Sequence, residues 1–159
     1  FIGGRDGAGA KNITERYDPK TNQWETLAPM STPREGLAAA FLDGKLYAIG
    51  GVGLSSVEVF DPQTGQWSAG PPLPSEVVYG TAVSFGEKIF LIGGGGTNLA
   101  GLNQTLEFDP ETNQWSQKAP MPTRSSGHVW FVATRHHVMV ENGILIVPAA
   151  LAPKNSRRN

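Results

Sequence analysis

Apolar residues in this chain come in short runs broken by turn formers, not at helical spacing. Lys45-Leu46-Tyr47-Ala48-Ile49 and Lys88-Ile89-Phe90-Leu91-Ile92 are near-continuously apolar and end at paired glycines. A run of that kind marks a strand buried on both faces, as happens where sheets stack. No window repeats apolar residues at i, i+3, i+4 and i+7, so the pattern predicts strands throughout. Glycine (20) and proline (12) are abundant for a helical protein and suit many short strands joined by turns. The predicted class is all-β.

The runs belong to a repeat. Tyr17-Asp18-Pro19-Lys20-Thr21-Asn22-Gln23-Trp24 recurs as Phe60-Asp61-Pro62-Gln63-Thr64-Gly65-Gln66-Trp67 and as Phe108-Asp109-Pro110-Glu111-Thr112-Asn113-Gln114-Trp115. Gly3-Gly4, Gly50-Gly51 and Gly93-Gly94 precede the three copies. Proline corners follow them at Pro29-Met30, Pro72-Leu73-Pro74 and Pro120-Met121-Pro122.

Each part has a physical reason. Asp bonds its own downstream backbone, Pro presets φ, and Asn or Gly tolerates the left-handed region, so the Asp-Pro segment is a hairpin turn opening onto the tryptophan strand. Asp43-Gly44, Phe85-Gly86-Glu87 and Glu141-Asn142-Gly143 predict a second set of hairpins. A unit therefore holds four strands and two hairpins. One such sheet alone leaves both faces apolar; packing sheets face to face around an axis covers them, which is the propeller arrangement.

Apolar residues at 39% and charged residues at 17% fit a folded domain. A net charge of −1 gives no broad positive field for nucleic acid. No run approaches the ~18 apolar residues of a membrane span. Cysteine is absent, which removes disulfides, thiolate nucleophiles and zinc–sulfur sites.

The order Gly-Gly, Tyr/Phe-Asp-Pro, Trp, then Pro-Met with a following Arg resembles the kelch repeat over roughly residues 1–150. The resemblance implies a kelch-type β-propeller of four-stranded antiparallel blades, with repeats at about 1–30, 34–73, 77–118 and 124–150. Residues 1–151 are then the propeller segment and 152–159 a polar, disordered tail. Half, whole, whole and half make about three blades, and propellers hold ~4–8. Two arrangements follow: a segment of a larger propeller, which the start within a unit at Phe1 favours, or half of a six-bladed ring completed by a homodimer. Pro148-Ala149 stands where paired glycines are expected, as at the end of an array.

The resemblance also places candidate ligand contacts at the channel mouth: Arg34 and Arg124 after their proline corners, Tyr79 in the middle unit, and Ser125 and His128 beyond Arg124. Arginines there imply an acidic peptide motif as partner, through bidentate bonds to carboxylates. The competing reading has them brace neighbouring blades through buried backbone carbonyls. The middle unit reads Ser75-Glu76-Val77-Val78-Tyr79 and breaks any arginine ring.

His136 and His137 are adjacent, and on a strand they point to opposite faces, so together with His128 they do not converge on a metal. No metal or other cofactor is expected; without cysteine, the tyrosine–cysteine copper centre of kelch-type oxidases cannot form. Gly93-Gly94-Gly95-Gly96 has no Lys-Ser/Thr after it and reads as flexible loop entry, not a phosphate loop. Asn12-Ile13-Thr14 and Asn103-Gln104-Thr105 match the glycosylation acceptor pattern.

The expected function is protein recognition through blade-connecting loops, short at Gly51–Val57 and long at Gly94–Thr105, with no catalytic residues assigned. The alternative is a carbohydrate-active propeller similar to the sialic-acid epimerases, with Glu76, Arg34 and Arg124 as its acid–base set.

Overall fold

The computed structural model of the chain describes residues 1–124 and, further on, the backbone of two antiparallel dipeptides, Val140–Glu141 and Ile144–Leu145. The Glu141–Ile144 pairing flanks the predicted Glu141-Asn142-Gly143 turn. Residues 142 and 143, the Pro148-Ala149 departure and the tail lie outside the described residues.

A small hairpin, β1 (Arg5–Asp6) with β2 (Gly9–Ala10), comes first and was not predicted. The half-sheet β3 (Glu15–Asp18) and β4 (Gln23–Thr26) follows. Two complete antiparallel meanders come next: β5 (Ala38–Leu42), β6 (Lys45–Ile49), β7 (Val57–Asp61) and β8 (Gln66–Gly70), then β9 (Thr81–Phe85), β10 (Lys88–Ile92), β11 (Thr105–Asp109) and β12 (Gln114–Gln117). No helix among the described residues is long and apolar enough to cross a membrane.

The Asp-Pro turns form as their residue types dictate. The carboxylates of Asp18, Asp61 and Asp109 accept the amides of Lys20, Gln63 and Glu111 at 2.9, 2.8 and 3.0 Å. Asn22, Gly65 and Asn113, four residues after each Asp, take positive φ. Asp43 and Gly44, both at positive φ, close the β5–β6 hairpin.

The glycine pairs end the second strands for a steric reason. Gly50 has φ +64°, and a Cβ built there would stand 2.3 Å from the Val77 carbonyl oxygen. Only glycine lets the next unit's backbone approach that closely.

The meanders stack face to face. Tyr47 of β6 meets Phe108 of β11 with ring centroids 5.5 Å apart, above a core that includes Ile49, Val57, Ile89, Leu91 and Leu106. In each hairpin the aromatic of the Asp-Pro segment lies opposite its tryptophan, at 5.3 Å in all three pairs. Trp67 and Trp115 then reach the preceding sheet: their indole N–H groups donate to the carbonyls of Ala28 and Pro71 at 2.9 and 3.0 Å. Trp24, on the open face of the half-sheet, is 62% exposed.

Candidate functional site

Strand alternation sorts the connections between two ends of the stack. One end carries the tight turns around Pro19, Gly44, Pro62, Gly86 and Pro110. The other carries everything longer: the β1–β2 hairpin, the glycine loops at 50–56 and 93–104, and the proline corners at 27–37 and 71–80. Loops that vary on a repeated scaffold are where recognition is built, so this loop-bearing end is the candidate site.

Arg34 is its most constrained residue, and none of its surface is exposed. Nε and Nη2 donate to Glu58 Oε1 at 3.2 and 3.0 Å. Nη1 donates to the carbonyls of Gly50 and Ser56, both at 2.8 Å, and Nη2 also reaches Ser56 Oγ at 2.9 Å. All five guanidinium N–H groups are thereby used. The partners sit on β7 and on the glycine loop of Arg34's own unit, so the side chain ties the corner to its sheet.

Glu58, which the sequence reading did not single out, is the other half of this lock. Burial pushes its carboxyl up, but the Ser31 hydroxyl and amide and the Arg34 guanidinium outweigh that and hold it below the ordinary carboxylate range. The sequence signal available was Glu58 alone among the valines and Phe60 of a buried strand.

Arg124 is exposed, and the part of its own unit that would correspond to Gly50, Ser56 and Glu58 lies outside the described residues. Arg124 also stands at a different position: Met30 and Met121 both bond back to an asparagine carbonyl, Asn12 and Asn103, but Arg34 follows Met30 by four positions and Arg124 follows Met121 by three. The two arginines are therefore not equivalent. Val77 fills the Arg34 position in the middle unit, because Gly51 N–H donates to Val77 O as Gly4 N–H donates to Arg34 O.

Tyr79 is half-buried at the seam between the two full sheets. Its backbone takes φ +57° and its amide donates to Gly36 O at 2.7 Å. Its ring lies over Gly36, where an added Cβ would come within 2.6 Å of it. Ser125 and His128, like His136 and His137, lie outside the described residues.

Around these residues the loop end presents charge and apolar surface together. Arg5 Nη1 donates to Glu35 at 2.9 Å, with the Arg5 side chain well exposed, and Lys11 pairs with Asp6 at 2.8 Å. Val52 and Leu99 are exposed large apolar residues of the two glycine loops. The four-glycine run is not a free entry. Gly95 and Val78 exchange backbone bonds at 2.7 and 2.9 Å, and Leu102 N–H returns to Gly94 O at 2.8 Å. Among the described residues no three His, Cys, Asp or Glu side chains are grouped to hold a metal ion.

The two asparagines of the glycosylation-like triplets have structural work. Asn12 and Asn103 donate from Nδ2 to the carbonyls of Met30 and Met121 at 2.9 and 3.1 Å, closing their corners.

Comparison with known proteins matches this architecture. The family model described as Kelch motif covers residues 2–31, 33–74 and 77–122. Kelch-like ECH-associated protein 1A of Danio rerio is 44% identical over 55 residues, 31% of this chain and 9% of the relative. Kelch-like protein 4 of Homo sapiens is 50% identical over 40 residues, 25% of this chain and 6% of the relative. Kelch-like protein 26 of Danio rerio is 48% identical over 58 residues, 34% of this chain and 10% of the relative. The chain thus spans a tenth or less of the length of these curated relatives. The solved structure of YjhT superposes on 76% of this chain and 51% of that one with a TM-score of 0.64, at 21% identity, a likeness of fold.

Proposed function

This chain belongs to the kelch repeat family, and we propose that its kelch module recognises a protein or peptide through the loop-bearing end of its stacked sheets. The observation that supports this most is the asymmetry between the ends. One is closed by short turns; the other carries three glycine-loop segments of unequal length, with Val52 and Leu99 exposed on two of them and the Arg5–Glu35 pair near Val52 and Tyr79. Apolar anchors rimmed by charge are the composition of a protein-binding surface.

Within this reading Arg34 serves as an internal brace, since a guanidinium with every donor engaged must break those bonds to reach a ligand. Among the cations of the described surface, Arg5, paired with Glu35 but well exposed, and exposed Arg124 are the ones proposed to meet an acidic partner, with Tyr79 as a further candidate contact. Ser125 and His128 stay candidates by their place after Arg124. A homodimer completing a ring is a further proposal about assembly, tested by molar mass in solution.

The test of the recognition reading places a photo-reactive residue at Val52 on one end and at Gln63 on the other. A protein adduct at Val52 and none at Gln63 is the expected result. Adducts confined to Gln63 overturn it.

A further inference from the structure

We propose that Glu58 is a positioning residue whose carboxylate sets the shape of the 31–36 corner, and through that corner the arrangement of three neighbouring loops at the proposed recognition end. The proposal rests on that reading of the end's function, but its geometry stands apart from any partner.

The carboxylate is a hub. Oε2 accepts the Ser31 amide at 2.8 Å and the Ser31 hydroxyl at 2.7 Å. Oε1 accepts the Thr32 amide at 3.2 Å, in addition to Arg34. The corner so fixed then holds its surroundings through three consecutive carbonyls. Arg34 O accepts Gly4 N–H at 2.8 Å, Glu35 O accepts Val52 N–H at 2.9 Å, and Gly36 O accepts Tyr79 N–H at 2.7 Å. These donors belong to the first unit, the same unit's glycine loop and the next unit. Glu35 also receives Arg5. One buried carboxylate therefore governs where Gly4, Val52, Tyr79 and Arg5 stand relative to one another.

The chain supplies an internal control. In the next unit Glu58 and most of the groups it serves are replaced at once, the Thr32 amide alone keeping a counterpart at Ser75. Phe60 and Phe108 occupy the same register position, so Leu106 stands where Glu58 does. Val77 stands in place of Arg34, and Pro74, which has no N–H to satisfy, in place of Ser31. Val77 and Leu106 both lie in the apolar core. A carboxylate removed together with its serine and arginine donors is what coupled positions produce. The same fold is thus closed by two chemistries. Only the polar one bonds to the corner's own backbone amides.

The test is amide hydrogen exchange on the whole chain, comparing wild type with the double variant Arg34→Val/Glu58→Leu, which carries the next unit's apolar pair. Exchange at Ser31, Thr32, Gly4, Val52 and Tyr79 is expected to accelerate by about tenfold or more, as one or two hydrogen bonds lost imply. Leu102 and Lys118, whose amides bond to Gly94 O and Thr105 O within the apolar unit, serve as unchanged references. Unaltered protection at all five sites overturns the proposal. Should the double variant not fold, Glu58→Gln keeps the volume and one acceptor oxygen. Faster exchange at Ser31 and Thr32 is again expected, and no change overturns. Absence of any protein adduct at Val52 in wild type would sink the recognition reading while leaving this result intact.

Discussion

The indole N–H of Trp67 donates to Ala28 O at 2.9 Å and stands 3.1 Å from Thr14 Oγ1, so a side chain of one sheet is hydrogen-bonded into the sheet before it. Trp115 repeats the first contact with Pro71. The repeat's tryptophan is therefore a seam element, apolar in body and polar at its tip.

Trp67→Phe keeps most of the ring and leaves the Ala28 carbonyl without its donor. The expected loss is about 1–2 kcal/mol by urea denaturation. Trp24→Phe, at the exposed pair with Tyr17, is expected to stay within about 0.5 kcal/mol. Equal losses at both positions would contradict the seam role.

Gly50→Ala combines a left-handed φ with a Cβ 2.3 Å from the Val77 carbonyl. Neither the backbone nor that oxygen is free to move, so a loss of about 2 kcal/mol or more is expected. A melting temperature matching wild type would show that the units do not approach as described.

Arg34→Ala and Arg124→Ala separate the two arginines that the sequence pattern made alike. The first strands a buried Glu58 carboxylate and is expected to cost about 3–5 kcal/mol. The second removes an exposed side chain and is expected to stay within about 0.5 kcal/mol. Denaturant midpoints decide it, and similar losses would mean that Arg124 holds an equivalent lock.

The lock also predicts a pH dependence. The Glu58 carboxyl titrates lower in the folded chain than unfolded, so its contribution is complete above the ordinary Glu value of about 4.5 and disappears as pH falls through the lower folded value. Glu107 and Asp109 add to the same acid limb. Burial pushes Glu107 up and Lys118 and Lys88 outweigh it, while Lys88 bonded to Asp109 lowers that group. Arg34→Val/Glu58→Leu should make the stability loss between pH 5 and pH 3, a window on the order of the carboxylate range, shallower without abolishing it. An unchanged slope would assign the acid sensitivity elsewhere.

Much of this fold was legible because its signals are local. Asp-Pro turns, paired glycines and the Tyr/Phe–Trp spacing each act through a few neighbouring residues, and each reappears with the bonds its chemistry calls for. The site was less legible because its decisive contacts are remote in sequence. Arg34 and Glu58 are 24 positions apart and meet only once β5–β7 form. Nothing local distinguishes an arginine aimed inward from one aimed at a ligand. The one-residue offset of Arg124 relative to Arg34, counted from Met121 and Met30, is visible in the sequence, but its meaning needs the Asn12 and Asn103 carbonyls that define the register. Four consecutive glycines suggested freedom, whereas Val78 and Leu102 hold that run from outside it.

The central claim is that recognition resides at the loop-bearing end, and site-specific photo-cross-linking in cells of the source organism tests it most directly. With the reactive group at Val52 the account predicts a discrete protein adduct, weakened by Arg5→Ala; with the group at Gln63 it predicts none. Adducts at Gln63 alone, or none at either position, would contradict it.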